Sequence, residues 1–332
     1  MDSARHLHAI EGGAASAGRL KRTEFPQKLT LDELRSSAKS GLAGLLGAVS
    51  ESIDGLGRRA LAELQTEVDT ALMHLSVKAN GFGYDAWGFH KGEARWPFLA
   101  SAGLYRHWFR TRIDGLENLP RGRFLLAANH GGHLPFDAAM LATACVLEGT
   151  PPRLPRVMIS EALSATPGVT SFARSLGGVP FTPANARQLL RRGEGLLTFP
   201  EGLTGLTKPA SAHYRLAQFS SAFLRAALES DAPVLPVAIV GSEEQIPAIF
   251  SLRQLAARLG LPSLPITPTF PLLGPLGLIP LPSRYTIRIG APIDLRGDAH
   301  DDSEALRGPV EKVREKIQTM LEDMLDKRQS TF

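Results

Sequence analysis

The stretch 125–140, LLAANHGGHLPFDAAM, decides how the rest of the chain is read. An apolar run stops at Asn129-His130, a short loop with Gly131 and Gly132 follows, and Asp137 opens a helix. A strand feeding a helix through a polar loop belongs to an α/β sheet, and ligands bind at the carboxyl ends of such strands. A histidine with a carboxylate in reach is a general base. The carboxylate fixes the tautomer and stabilises the imidazolium that forms as a proton is taken up. Asp137 also suits the simpler role of a helix N-cap. No G-x-S-x-G elbow is present, and no serine or cysteine stands beside His130, so the base would activate an incoming hydroxyl rather than a protein nucleophile.

Outward from this stretch, strands alternate with helices. Strand candidates are Trp108–Ile113, Arg123–Ala128, Arg156–Ser160, Gly195–Phe199, Val234–Val240 and Tyr285–Ile289. Helix candidates are 136–147, 169–176, 184–192, 214–229, 243–259 and 303–327, the last with Leu306, Val310, Val313, Ile317 and Leu321 on one stripe. This pattern predicts an α/β domain over 100–330, with a central, mostly covered mixed sheet flanked by helices. Residues 1–29 are expected to be a disordered lead. Over 30–99 we expect an N-terminal helical cap of two amphipathic helices, broken at Gly55–Gly57, and an aromatic, glycine-rich linker at 80–98.

Composition excludes several classes. The 332 residues are 43% hydrophobic and 21% charged, which is globular rather than disordered. Cys145 is the one cysteine, so an internal disulfide and a four-cysteine zinc site are out. As a separate expectation, no metal or cofactor is needed. The formal charge of +4 is too small to argue nucleic acid but suits attraction to an anionic membrane surface. No apolar run reaches the roughly 18 residues of a spanning helix. The nearest is 269–282, TFPLLGPLGLIPLP, which carries no charge and which its prolines keep from being a regular helix.

Two more strand ends carry polar residues. In 198–208, TFPEGLTGLTK, Glu201 and Gly202 turn away from a strand and Lys208 follows, a set able to position a polyol or a phosphate, or simply a polar turn. In 232–244, APVLPVAIVGSEE, a strand ends on a Gly-Ser turn.

The order NH…D, FPEG, VLPVAIVG and LPSRYTIRIGAPIDL resembles the glycerolipid acyltransferases related to lysophosphatidate acyltransferase, over roughly 105–300, and within them a bacterial lysophospholipid acyltransferase-like subgroup. The resemblance implies transfer of a fatty acyl group from an acyl thioester, on coenzyme A or acyl carrier protein, to a hydroxyl of a lysophospholipid or related lipid alcohol. It implies His130 as base, Asp137 as its orienting carboxylate and Glu201 in acceptor binding, with Gly202 and Lys208 beside it. Backbone N–H groups at Gly131 and Gly132 are candidate oxyanion donors. The family's common pattern places four residues between histidine and aspartate. Here six separate His130 from Asp137 and three separate His133 from Asp137, so His133 is the alternative base. The family's arginines are missing after FPEG and in 177–185, leaving Lys208, Arg187 or Arg215 to meet an acceptor phosphate. Two other readings stand beside transfer: a hydrolase of thioesters or lipid esters using the same pair, and a non-catalytic lipid-binding protein of the same fold. The greasy stretch, the charge and the substrate class together predict a peripheral protein on the cytoplasmic face of the inner membrane.

Overall fold

The computed structural model describes residues 57–160, 169–248, 250–252, 256, 264–268 and 270–332. The expected lead and the first expected helix, 30–55, lie outside these residues.

Two helices come first, α1 (Gly57–His74) and α2 (Lys91–Gly103). Leu64, Val68, Ala71 and Leu72 form the buried stripe of α1 at helical spacing. His90 caps α2 by accepting the Glu93 N–H on its ring at 3.2 Å, so the stretch read as a linker turns helical from Lys91. A π-helical turn, Leu104–Trp108, extends α2. The strand expected at 108–113 therefore begins later, as β1 (Arg112–Asp114).

The sheet also contains β2 (Phe124–Ala128), β3 (Arg156–Ile159), β4 (Val179–Pro180), β5 (Gly195–Thr198) and β6 (Val234–Val240). A small hairpin pairs β7 (Phe250–Ser251) with β8 (Pro265–Ile266), and β9 (Thr286–Ile289) rejoins the main sheet. The order is β1-β9-β6-β2-β5-β3-β4. Every neighbouring pair is parallel except β6 with β9, so the sheet is mixed. Each residue of β2, β5 and β6 is buried, because helices cover both faces. That double cover explains why these strands read as unbroken apolar runs instead of alternating ones.

The helices are α3 (Phe136–Leu147), α4 (Val169–Ser175), α5 (Pro183–Arg191), α6 (Gly202–Leu206), α7 (Ala222–Glu229) and α8 (Arg307–Asp326). On one face Phe124, Leu126, Val237 and Ile239 pack with Met140, Leu141 and Ala144 of α3. On the other, Leu125, Ala127, Val234 and Val240 meet Leu189 of α5, Leu224 of α7, and Val313, Ile317 and Leu321 of α8. A third cluster joins α1 and α2 to Val146 of α3 and to Leu176.

Two expected helices are shorter. Of 214–229 only Ala222–Glu229 is helical. Tyr214 sits at φ +58°, its N–H goes to Glu243, and the Ala217 N–H goes to Glu201, so side-chain carboxylates take the donors a helix would use. Within 243–259, residues 243–246 form turns and bends and 250–251 pair as β7.

Phe98 is fully buried in the third cluster, between α1 and α3. Phe98→Ala should lower the unfolding free energy by about 3–5 kcal/mol in one urea transition. A separate early transition, with the main one unmoved, would show that α1 and α2 are not part of the same cooperative unit.

Candidate active site

Strand β2 ends one residue before the polar pair. Asn129 continues the ladder with its side chain: Oδ1 accepts the Ile239 N–H at 2.7 Å and Nδ2 donates to the Ile239 carbonyl at 2.9 Å. This fixes the chain beside β6 just where His130 leaves the sheet. The His130 ring then lies flat on Phe199, with centroids 4.1 Å apart and planes 23° apart. Its Nδ1 is 2.6 Å from Asp137 Oδ2. The same carboxylate accepts the Gly131 N–H at 3.1 Å and the Ala138 N–H at 2.7 Å. A carboxylate filled with backbone donors is held as an acceptor, so Nδ1 carries the hydrogen and Nε2 keeps its lone pair.

The loop reconciles this contact with the long spacing. Gly132 takes φ +86° and His133 takes φ +63°, so residues 131–135 fold out while His130 and Asp137 stay close. A Cβ on Gly132 would come within 2.1 Å of the Ser242 carbonyl, so glycine alone fits there. Gln245 clamps the loop from the end of β6, donating to the carbonyls of Gly132 at 2.8 Å and Leu134 at 2.9 Å. Tyr285 orients that amide by donating to Gln245 Oε1 at 2.5 Å.

Beneath the loop lies a buried ionic group. Glu201 accepts the His130 backbone N–H at 3.1 Å and the Ala217 N–H at 2.7 Å. Lys208 Nζ stands 3.0 Å from Glu201 and 3.1 Å from Glu243. One ammonium thus serves two carboxylates. Burial pushes the Glu243 carboxyl up to about 7, against the pull of Lys208 and of the Tyr214 N–H.

Two apolar cavities meet at the His130–Phe199 stack. The larger, about 200 Å³, is lined by Phe181, Thr198, Gly202, Leu203 and Phe223. The smaller, about 110 Å³, runs along α3 past Ala138, Ala139 and Ala142 to Phe172 and Leu176. Phe172, Phe181 and Leu203 are exposed where these cavities approach solvent.

The sequence-predicted residues fall into two groups. His130, Asp137 and Gly202 are at the cavities or in direct contact with a residue that is. Glu201 and Lys208 point inward and bond to each other, Glu201 also accepting two backbone N–H groups and Lys208 also reaching Glu243. The Gly131 N–H, a candidate oxyanion donor, is taken by Asp137. His133 lines neither cavity. Its N–H goes to the Leu206 carbonyl, and burial, with His213 nearby, pushes its imidazole down to about 4. Arg187 pairs with Glu229 at 3.1 Å on another face. Arg215 is exposed and lines neither cavity. Sequence reasoning passed over Phe199, Glu243, Gln245 and the alanines of α3. The alanines did leave a signal, since Ala138, Ala139 and Ala142 recur on one helical face at a strand end.

The chain is similar to several known proteins. The acyltransferase family model matches residues 110–240. An uncharacterized protein of Mycobacterium tuberculosis is 40% identical over 256 residues, covering 76% of this chain and 70% of its own. One from Mycobacterium leprae is 35% identical, covering 98% of this chain and 94% of its own. A probable 1-acyl-sn-glycerol-3-phosphate acyltransferase of Mycoplasma pneumoniae is 28% identical over 43% of this chain and 54% of its own. Among solved structures, the 1-acyl-sn-glycerophosphate acyltransferase of Thermotoga maritima aligns with a TM-score of 0.46 and 23% identity, covering 73% of this chain and 81% of that one.

Glu243 gives a pH test of the ionic group. Its folded pKa lies above the ordinary carboxylate value, so the folded state holds the proton longer and stability falls as pH rises from about 4.5 to 7. Glu243→Gln should flatten that part of the profile, read by urea unfolding at pH 5 and pH 7.5. An unchanged pH slope would contradict the assignment.

Proposed function

The chain belongs to the acyltransferase family, and from that premise we propose that it moves a fatty acyl group from an acyl thioester to the hydroxyl of a lysophospholipid or related lipid alcohol. The observation that carries this reading is His130, paired with Asp137 at 2.6 Å and set where two apolar cavities meet. His130 Nε2 takes the hydroxyl proton as the acceptor oxygen attacks the thioester carbonyl. The new C–O bond forms, the C–S bond breaks, and the imidazolium returns the proton to the departing thiolate. Asp137 holds the tautomer and stabilises the imidazolium. Cys145 is not placed to carry a covalent intermediate: it is buried on α3, lines neither cavity, and its thiol is pushed up to about 12 by that burial.

The cavity lining bears on the acceptor. Among the described residues no arginine or lysine lines either cavity at His130. Arginine and lysine are the usual side-chain partners of a phosphate. The acceptor is therefore read as a lipid hydroxyl recognised mainly through its apolar part, with lysophosphatidate no better than a neutral lipid alcohol. The narrow cavity along α3 suits an acyl chain. The donor carrier is coenzyme A or acyl carrier protein.

Such substrates sit in bilayers. No helix among the described residues is long and apolar enough to cross a membrane. Leu272, Leu273 and Leu276 instead stand out from the surface, with Leu272 86% exposed. Trp108 Nε1 bonds the Pro280 carbonyl at 3.1 Å and Arg110 bonds that of Pro282, so the loop is anchored at its base with a cation beside it. This supports peripheral attachment to an anionic leaflet, which we place at the cytoplasmic face of the inner membrane.

His130→Ala should lower acyl transfer by about 10²–10⁴-fold with the fold intact, and Asp137→Asn should lower kcat more than it changes KM. His133→Ala should stay active. Mass spectrometry of products from a long-chain acyl-CoA and a panel of lysolipids is the readout. Free fatty acid as the sole product would replace transfer by hydrolysis, and activity lost in His133→Ala but kept in His130→Ala would reverse the assignment.

Substituting Leu272, Leu273 and Leu276 together with serine removes apolar area worth about 25 cal/mol per Å². The triple variant should float with anionic vesicles at least several-fold less than the wild type while keeping its circular dichroism. Equal flotation would exclude this loop as the contact.

A further inference from the structure

A separate cavity of about 210 Å³ opens at the other end of the sheet, where β3 and β5 begin. Strand β5 leads from Gly195 at this cavity to Thr198 at the site of His130, so about 10 Å of strand separates the two places. The lining is strongly basic. Lys78, Arg121, Arg153, Arg156 and Arg192 contribute to it, and Glu194 is the one acid among them.

The cations divide by what already occupies them. Arg153 is spent on the carbonyls of Pro120, Arg121 and Gly122, each at 2.6 Å, and so stiffens the wall. Lys78 donates to the Arg192 carbonyl at 2.8 Å and fixes the turn. Arg156, only 2% exposed, meets Asp85 at 2.5 Å and Glu194 at 3.6 Å through Nη1 alone. Its Nε and Nη2 are buried without hydrogen-bond partners, and so is Nε of Arg192. Asp85 has little to add, because its other oxygen accepts the backbone N–H groups of Trp87 and Phe89, both at 2.8 Å.

The indole of Trp87 bears on both guanidinium groups, with Arg156 Cζ at 5.6 Å and Arg192 Cζ at 5.4 Å from the ring centre. A ring face attracts the face of a guanidinium but cannot accept its in-plane N–H groups. Two arginines held against one ring also repel each other. A cavity walled by two guanidinium groups that keep open N–H donors attracts an anion with several acceptor oxygens.

We propose that this cavity is a binding site for a phosphate group, held by Arg156 and Arg192 with Arg121 at the rim. The cavity has room for phosphate or pyrophosphate. The phosphate comes either from a soluble ion or from a phospholipid headgroup, and the two sources separate by experiment. Glu194 competes with the ligand for Arg156, which supplies a gain-of-binding test that misfolding cannot imitate.

The full chain is titrated with inorganic pyrophosphate by calorimetry, and separately with phosphatidylcholine vesicles with and without phosphatidylglycerol by flotation. Saturable binding is expected in at least one arm. It should weaken about tenfold in Arg192→Gln, the loss of one charge-assisted contact, and tighten several-fold in Glu194→Gln. Binding of pyrophosphate with that pattern identifies a soluble ligand, and the same pattern with phosphatidylglycerol vesicles alone identifies a headgroup. Absence of saturable pyrophosphate binding at millimolar concentration, together with vesicle binding indifferent to both substitutions, would overturn the proposal. So would pyrophosphate binding that neither substitution changes.

Discussion

A carboxylate with no exposure must find donors inside the protein, and the Asp137 carboxylate finds three: the His130 ring, the Gly131 N–H and the Ala138 N–H. Leaving such a charge unfilled costs far more than any one of these bonds contributes. The requirement ties the end of β2 to the first turn of α3 and leaves the intervening loop only one way to go. Gly132 must take a left-handed backbone against the Ser242 carbonyl, and the loop carbonyls must turn toward Gln245. The same bond that closes the loop orients the imidazole, so folding and chemistry share one constraint.

The histidine is held from two further sides. Glu201 fixes its backbone N–H, and Phe199 covers one face of its ring. Since Glu201 is itself neutralised by Lys208, and Lys208 also serves Glu243, the loop rests on a buried ionic group that joins the ends of β2, β5 and β6. Groups placed on rigid strands and supported from behind stay where the reaction needs them. Above them the walls are apolar, which strengthens the attraction between Asp137 and a protonated His130.

Much of this was legible in the sequence. Buried parallel strands announce themselves as apolar runs, so Val234–Val240 and the helix 136–147 were read with their observed bounds. His130 and Asp137 stood out because a polar pair at a strand end is seldom idle. The loop explains why six intervening residues still bring them together. What the sequence hid were side chains that replace backbone partners. Glu201 reads as a polar turn residue, yet it points inward and accepts two backbone N–H groups. Tyr214 and Ala217 read as helical, yet their N–H groups serve buried carboxylates. The arginines of the basic cavity are scattered between positions 121 and 192, and only the fold assembles them. No local pattern encodes any of these.

The central claim is that Asp137 holds His130 with the hydrogen on Nδ1 and the lone pair on Nε2. Nitrogen-15 NMR of the histidine-labelled protein, with His130 assigned by its absence in His130→Gln, reads the tautomer directly. In the neutral ring, the account predicts a protonated Nδ1 with a strongly deshielded proton and an unprotonated Nε2, and a mixture of tautomers in Asp137→Asn. A wild-type ring carrying its hydrogen on Nε2 would contradict the account.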